Sequence, residues 1–171
     1  MRRTFRPLLV GTLAACIGLL GVPAAEAASV GTAQFVGTFT LGPPPLPTVG
    51  VSAATPWTFA TTACNETLAA HVAKPKPLTS SGPCGIAAAG VLTGNCLTGV
   101  GTGAGVYLDS LAQPVFLSFV MYVNLGEWRW VGTAAKGAQP GTFTAFGTWG
   151  PPAPAGCGVM VTTGFLTYTL G

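Results

Sequence analysis

Hydrophobic and polar residues alternate with a period of two over most of this chain, from Val30 to Leu170. In the first such segment, Val30 to Leu41, Ala33, Phe35, Phe39 and Leu41 fall on one face and Thr32, Gln34, Thr38 and Thr40 on the other. That spacing predicts a strand with one buried side. Gly42-Pro43-Pro44-Pro45-Leu46-Pro47 follows, and proline cannot donate to a sheet ladder, so the run predicts an extended connection. Val49 to Ala54 and Trp57 to Cys64 are the next strand segments, divided at Pro56. Between Asn65 and Pro83 come Glu66, His71, Lys74, Lys76, three prolines and Ser80-Ser81-Gly82, a composition that predicts the longest surface loop, with one helical turn over Leu68 to Ala73.

Ile86 to Leu92 and Leu97 to Leu108 form a predicted hairpin about Thr93-Gly94-Asn95. Glycines at 99, 101, 103 and 105 make its second arm weak, bulged or closely approached by another backbone. Val115 to Val123 is apolar almost throughout, which predicts a central strand covered on both faces. Glu127 to Ala135 places Trp128 and Trp130 on one face with Glu127, Arg129 and Val131 on the other. Thr142 to Trp149 and Val159 to Leu170 complete the set, separated by Pro151-Pro152-Ala153-Pro154-Ala155-Gly156. About eight strands, punctuated by Gly and Pro and with no convincing amphipathic helix, predict a single-domain antiparallel β-sandwich or closed β-barrel.

The N-terminus departs from this pattern. Arg2, Arg3 and Arg6 precede an apolar run, Leu8 to Val22, and Ala25-Glu26-Ala27 supplies small residues at a cleavage site. Residues 1–27 are therefore expected to be a secretory signal helix and residues 28–171 the all-β domain. Fifteen apolar residues at about 1.5 Å each fall short of the roughly 30 Å hydrocarbon core, so a cleavable signal fits better than an anchor. Arg2-Arg3-Thr4-Phe5 only partly matches the twin-arginine motif, because Arg6-Pro7 breaks its continuation. Export by the general secretory route is expected, to the cell envelope or the medium, with no transmembrane helix after cleavage.

Removing 27 of 171 residues leaves 144, whose charges are Lys74, Lys76, Arg129 and Lys136 against Glu66, Asp109 and Glu127. The formal balance is +1, and four scattered cations cannot supply the clustered phosphate contacts of nucleic-acid binding. Charged residues make up about 5% of this segment against about 25% in ordinary soluble domains. Such a surface is poorly protected from self-association.

Cys64, Cys84, Cys96 and Cys157 remain after cleavage, an even count that in an exported chain predicts two disulfides. Cys84 and Cys96 begin opposite arms of the hairpin, about 20 Å apart and beyond the ~7 Å Cα limit for a bridge. Cys64 and Cys84 flank the long loop and can meet, which leaves Cys96 with Cys157.

Chemistry-bearing residues are scarce. His71 and Asp109 are the sole histidine and the sole aspartate, with no Gly-x-Ser-x-Gly elbow to complete a triad. A glycosidase-type pair would have to come from Glu66, Asp109 and Glu127, without the supporting polar groups that mechanism needs. One histidine and bridged cysteines leave too few zinc ligands, and the Gly99 to Gly105 series lacks the ending of a phosphate loop, so no metal or cofactor is expected. Asn65-Glu66-Thr67 matches the glycosylation sequon by composition alone.

Trp128, Trp130, Tyr107 and Tyr122 are the candidate recognition residues. Two tryptophans at period two would form a flat platform for sugar rings or other apolar faces if exposed. The competing reading makes that face the core, and the charged neighbours Glu127 and Arg129 favour it.

The run Cys84-Gly85-Ile86-Ala87-Ala88-Ala89-Gly90-Val91-Leu92-Thr93-Gly94-Asn95-Cys96, followed by Gly-Thr-Gly repeats, resembles small secreted actinobacterial β-rich proteins over about Gly82 to Gly105. The resemblance implies an exported β-protein and carries no activity, cofactor or site. The functional expectation is a non-catalytic envelope or extracellular domain that binds, with cell-wall glycan as one partner class, or that associates with itself. An envelope-embedded β-barrel and a secreted hydrolase are the alternatives.

Overall fold

The computed structural model describes residues 29–43, 45–47, 49–50, 54–70, 78–149 and 157–171. The expected signal helix, His71, Lys74 and Lys76 lie outside the described residues, as do residues 71–73 of the helical turn expected over Leu68 to Ala73, whose first three residues are strand instead. Among the described residues nine strands form: β1 (Ser29–Leu41), β2 (Thr55–Ala70), β3 (Leu78–Pro83), β4 (Gly85–Gly94), β5 (Thr98–Leu108), β6 (Pro114–Asn124), β7 (Glu127–Lys136), β8 (Gln139–Trp149) and β9 (Val159–Leu170).

Every pairing between these strands is antiparallel, in the order β1-β9-β8-β7-β6-β5-β4-β2-β3, and β1 also pairs with β2. That last pairing closes an eight-stranded barrel and decides against the sandwich. Closure removes the exposed edges that an open sheet must protect. Only β3 stands outside the ring, and it pairs with the second half of β2, from Asn65↔Pro83 to Ala70↔Leu78. It is short and ends at proline, as edge strands do.

Three sequence expectations are corrected here. Asn65 to Ala70 is not loop but the continuation of β2, held between β1 and β3. Pro56 does not divide a strand: it enters β2 one residue before the β1 ladder begins at Trp57, where a missing donor is tolerated. The apolar β6 is covered on its inner face only, because a closed barrel gives each strand one interior side; Phe116, on the outer side, is 57% exposed.

The hairpins follow from local chemistry. Leu125 and Gly126 both have positive φ, 50° and 86°, the pattern of a type I′ turn whose twist matches its flanking strands. Both disulfides form with the expected partners, Cys64–Cys84 and Cys96–Cys157, at Cα separations of 4.9 and 5.8 Å. They fit an oxidising environment.

Eight strands give an interior just wide enough for side chains to fill it. Phe35, Phe39, Trp57, Phe59, Phe119, Trp128 and Trp130 do so, each at most 5% exposed. Phe119 and Trp130 stack at 4.4 Å, and the ring of Phe39 meets Trp128, Trp130 and Trp149 edge-on. Glycines on the facing strands make the room. A Cβ on Gly103 would lie 2.6 Å from Trp57 Cζ2, and one on Gly147 would lie 2.7 Å from Trp128 Cζ2. The glycine-rich arm is thus closely approached, by aromatic rings as well as by neighbouring backbone.

Candidate binding surface on the outer wall

The filled interior leaves only the outer wall of the barrel accessible to a ligand. Register places Tyr122 opposite Arg129, Arg129 opposite Phe146 and Phe146 opposite Phe165, one residue from each of β6, β7, β8 and β9. The four side chains make a row across the strands, spanning three interstrand steps or about 14 Å. Tyr122, Phe146 and Phe165 are 48%, 55% and 43% exposed. Phe146 and Phe165 stack with centroids 5.6 Å apart and planes 28° apart. A hollow of about 810 Å³ follows this row, rimmed by Asn124, Glu127 and Thr148 toward the β6–β7 turn.

Arg129 and Glu127 are both exposed, and among the described residues neither takes part in an ion pair or a side-chain hydrogen bond. They are the only exposed charged side chains of the described residues, since Glu66 and Asp109 are buried and Lys136 is mostly so. The hollow therefore combines exposed rings, a free guanidinium and a free carboxylate, with a formal charge of zero.

The proposed residues divide between the two faces. Tyr122 stands on the outer wall, whereas Trp128, Trp130 and Tyr107 lie inside, at most 1% exposed. The shared exposed platform of two tryptophans is corrected accordingly, and the core alternative favoured by Glu127 and Arg129 is the one realised. Trp128 nevertheless lies directly behind Gly147 at the floor of the hollow. Its indole N–H donates to Thr162 Oγ1 at 2.7 Å, and that hydroxyl donates to the Thr148 carbonyl at the rim.

Phe146 and Phe165 escaped the reading of the sequence, although parity marks them. Phe143 and Trp149 share a face from which Phe146 is excluded, and Leu166, Tyr168 and Leu170 exclude Phe165 in the same way.

A second polar cluster closes the opposite end of the barrel. Glu66, expected in a loop, is fully buried, and its Oε2 accepts the Ser110 N–H at 2.5 Å. Tyr107 and Tyr168 pack edge to face beside it at 5.5 Å. Their hydroxyls and Glu66 Oε1 are buried without hydrogen bonds of good geometry. Burial first, and then the Glu66 carboxylate, hold both phenols far above their ordinary value.

Asp109 accepts the N–H groups of Leu111 and Gln113 at 2.9 and 2.8 Å and pairs with Lys136 Nζ at 2.6 Å. Lys136 thus partners Asp109. Glu66 and Asp109 lie at this end and Glu127 at the other, so the three carboxylates do not converge on one site.

No family model matches the chain, nor does any curated protein or solved structure. The outer wall must be read on its own chemistry. Among the described residues no helix is long and apolar enough to cross a membrane, which says nothing of a barrel crossing with strands.

Proposed function

We propose that the mature chain is an exported, non-catalytic module that binds at or near the cell envelope through the outer wall of its barrel. The observation that carries this reading is the contrast between a filled interior and the exposed row Tyr122, Arg129, Phe146 and Phe165. A contiguous apolar patch with polar groups around it is the usual mark of an interaction surface. Buried Glu66 and Asp109 are engaged in closing one barrel end, which leaves Glu127 without a second carboxylate for a hydrolytic pair.

The scarcity of charge on the outer wall supports a second reading, a barrel embedded in the envelope. Against it, membrane barrels carry a polar lumen, whereas this interior is aromatic, and Arg129 and Glu127 interrupt the outer apolar surface.

Fractionation of the native host into medium, wall and membrane, with the protein followed by antibody, separates the two. Recovery with the wall and release without detergent is the expected result. Extraction from membranes by detergent alone would replace the proposal with the embedded reading, and a wholly free medium form would remove the envelope role.

A further inference from the structure

We infer that the hollow between Tyr122 and Phe165 is a subsite for a neutral glycan chain. The inference rests on the binding-module reading and adds the chemical class of ligand.

A purely apolar partner would cover Phe146 and Phe165 but would also strip water from Arg129, Glu127 and Asn124 without replacing their hydrogen bonds. An anionic polymer finds one guanidinium beside a carboxylate, and single-strand nucleic acid needs a basic groove that this wall lacks. A cationic ligand meets the reverse difficulty at Arg129.

A neutral sugar presents both chemistries at once, an apolar C–H face for the exposed rings and hydroxyl edges that donate and accept. Arg129 offers donors in a planar fork, Glu127 offers acceptors, and Asn124 offers both. None of the three is spoken for by an ion pair among the described residues. The net charge of zero in the hollow matches a ligand that brings none.

Geometry adds a direction. The row crosses four strands, about 14 Å from Tyr122 to Phe165, which accommodates a short run of sugar units lying across the strands rather than along them. Phe146 and Phe165, each about half-exposed, then offer apolar surface at one end, and Arg129 with Glu127 grips hydroxyls beside them. The rings are already in place: Phe146 and Phe165 hold each other at 5.6 Å, so less side-chain freedom is lost on binding.

The test uses the mature full chain in native gels containing soluble neutral polysaccharides, namely amylose, hydroxyethylcellulose, laminarin and galactomannan, with dextran sulfate as the anionic counterpart. Retardation by at least one neutral polymer, little changed between 50 and 500 mM salt, is expected, because an uncharged ligand is not subject to ionic screening. Phe146→Ala and Arg129→Ala should each weaken it by about tenfold, or about 1.4 kcal/mol. Phe116→Ala removes an exposed ring outside the hollow and should leave it unchanged. Thermal unfolding of each variant confirms that the fold persists.

Equal weakening by Phe116→Ala would mean general adsorption and overturn the subsite. Preference for dextran sulfate would overturn the charge argument. Retention in the host wall fraction with no retardation by any neutral polymer would refute the glycan while leaving the binding module standing. A dimer abolished by Phe146→Ala, again without retardation, would give the surface to a second copy of the chain and likewise refute the glycan.

Discussion

The two ends of the barrel are closed by opposite chemistry. At the end reached by β1 at Leu41 and β9 at Val159, Leu46 is fully buried and bridges to Cys157. The Cys96 N–H donates to the Pro47 carbonyl, the Cys157 N–H to the Leu46 carbonyl, and the Cys96–Cys157 disulfide links the two donor residues. This end is an apolar plug under a covalent clamp. At the other end, Glu66, Tyr107, Tyr168, Asp109 and Lys136 close the opening with buried polar groups around the β5–β6 turn. Buried titratable groups thus gather at one end, and the disulfide that closes the longer loop sits at the other.

Removing the clamp should have the largest effect. The Cys96–Cys157 bridge spans 61 residues, so chain-entropy arguments put its contribution at about 4 kcal/mol, against about 3 kcal/mol for Cys64–Cys84 across 20. The double variant Cys96→Ser/Cys157→Ser should therefore shift the urea midpoint further than Cys64→Ser/Cys84→Ser. The opposite ranking would show that the plug does not depend on its clamp.

At the polar end, Asp109→Ala should cost about 3 kcal/mol, because it strands Lys136 in a mostly buried position and leaves the Leu111 and Gln113 N–H groups without their acceptor. Urea unfolding measures this loss, and Lys136→Met in the Asp109→Ala background should recover part of it. A loss below 1 kcal/mol would mean that the turn holds its shape without the carboxylate.

The third effect is confined to alkaline solution. Tyr107 and Tyr168 are held above their ordinary pKa in the folded chain by burial and by Glu66, whereas the unfolded chain ionises them near 10. Above that pH the unfolded state has lost protons that the folded state keeps, so stability falls as pH rises, by about 1.4 kcal/mol per unit for each phenol. Below pH 10 the contribution is constant. Unfolding followed by tryptophan fluorescence between pH 8 and 11.5 should show this slope, and Tyr168→Phe should roughly halve it.

Much of this was legible in the residues. The alternation of Val30 to Leu41 placed Phe35 and Phe39 inside, and Glu127 and Arg129 marked the outer side of β7, which put Trp128 and Trp130 within. Hairpin direction separated Cys84 from Cys96 and so fixed both disulfides. The polar end was not legible. Glu66 among Asn65, Thr67 and nearby lysines has the composition of a loop, and only the pairing of β2 with both β1 and β3 draws it inside. The outer row was half legible: parity excludes Phe146 and Phe165 from the interior but cannot say that they lie beside Tyr122 and Arg129.

What the sequence determined by itself is local: a period of two sorts side chains to two faces, and turn residues set where strands end. Whether those strands close on themselves depends on β1 pairing with both β2 and β9, contacts between distant segments that no local pattern encodes. Closure gave each strand one interior face, filled that interior with rings against glycines, and left the row across β6 to β9 facing outward. Register across strands is a tertiary property because it depends on which residues of separate strands share hydrogen bonds. It is register that turned four scattered side chains into one surface.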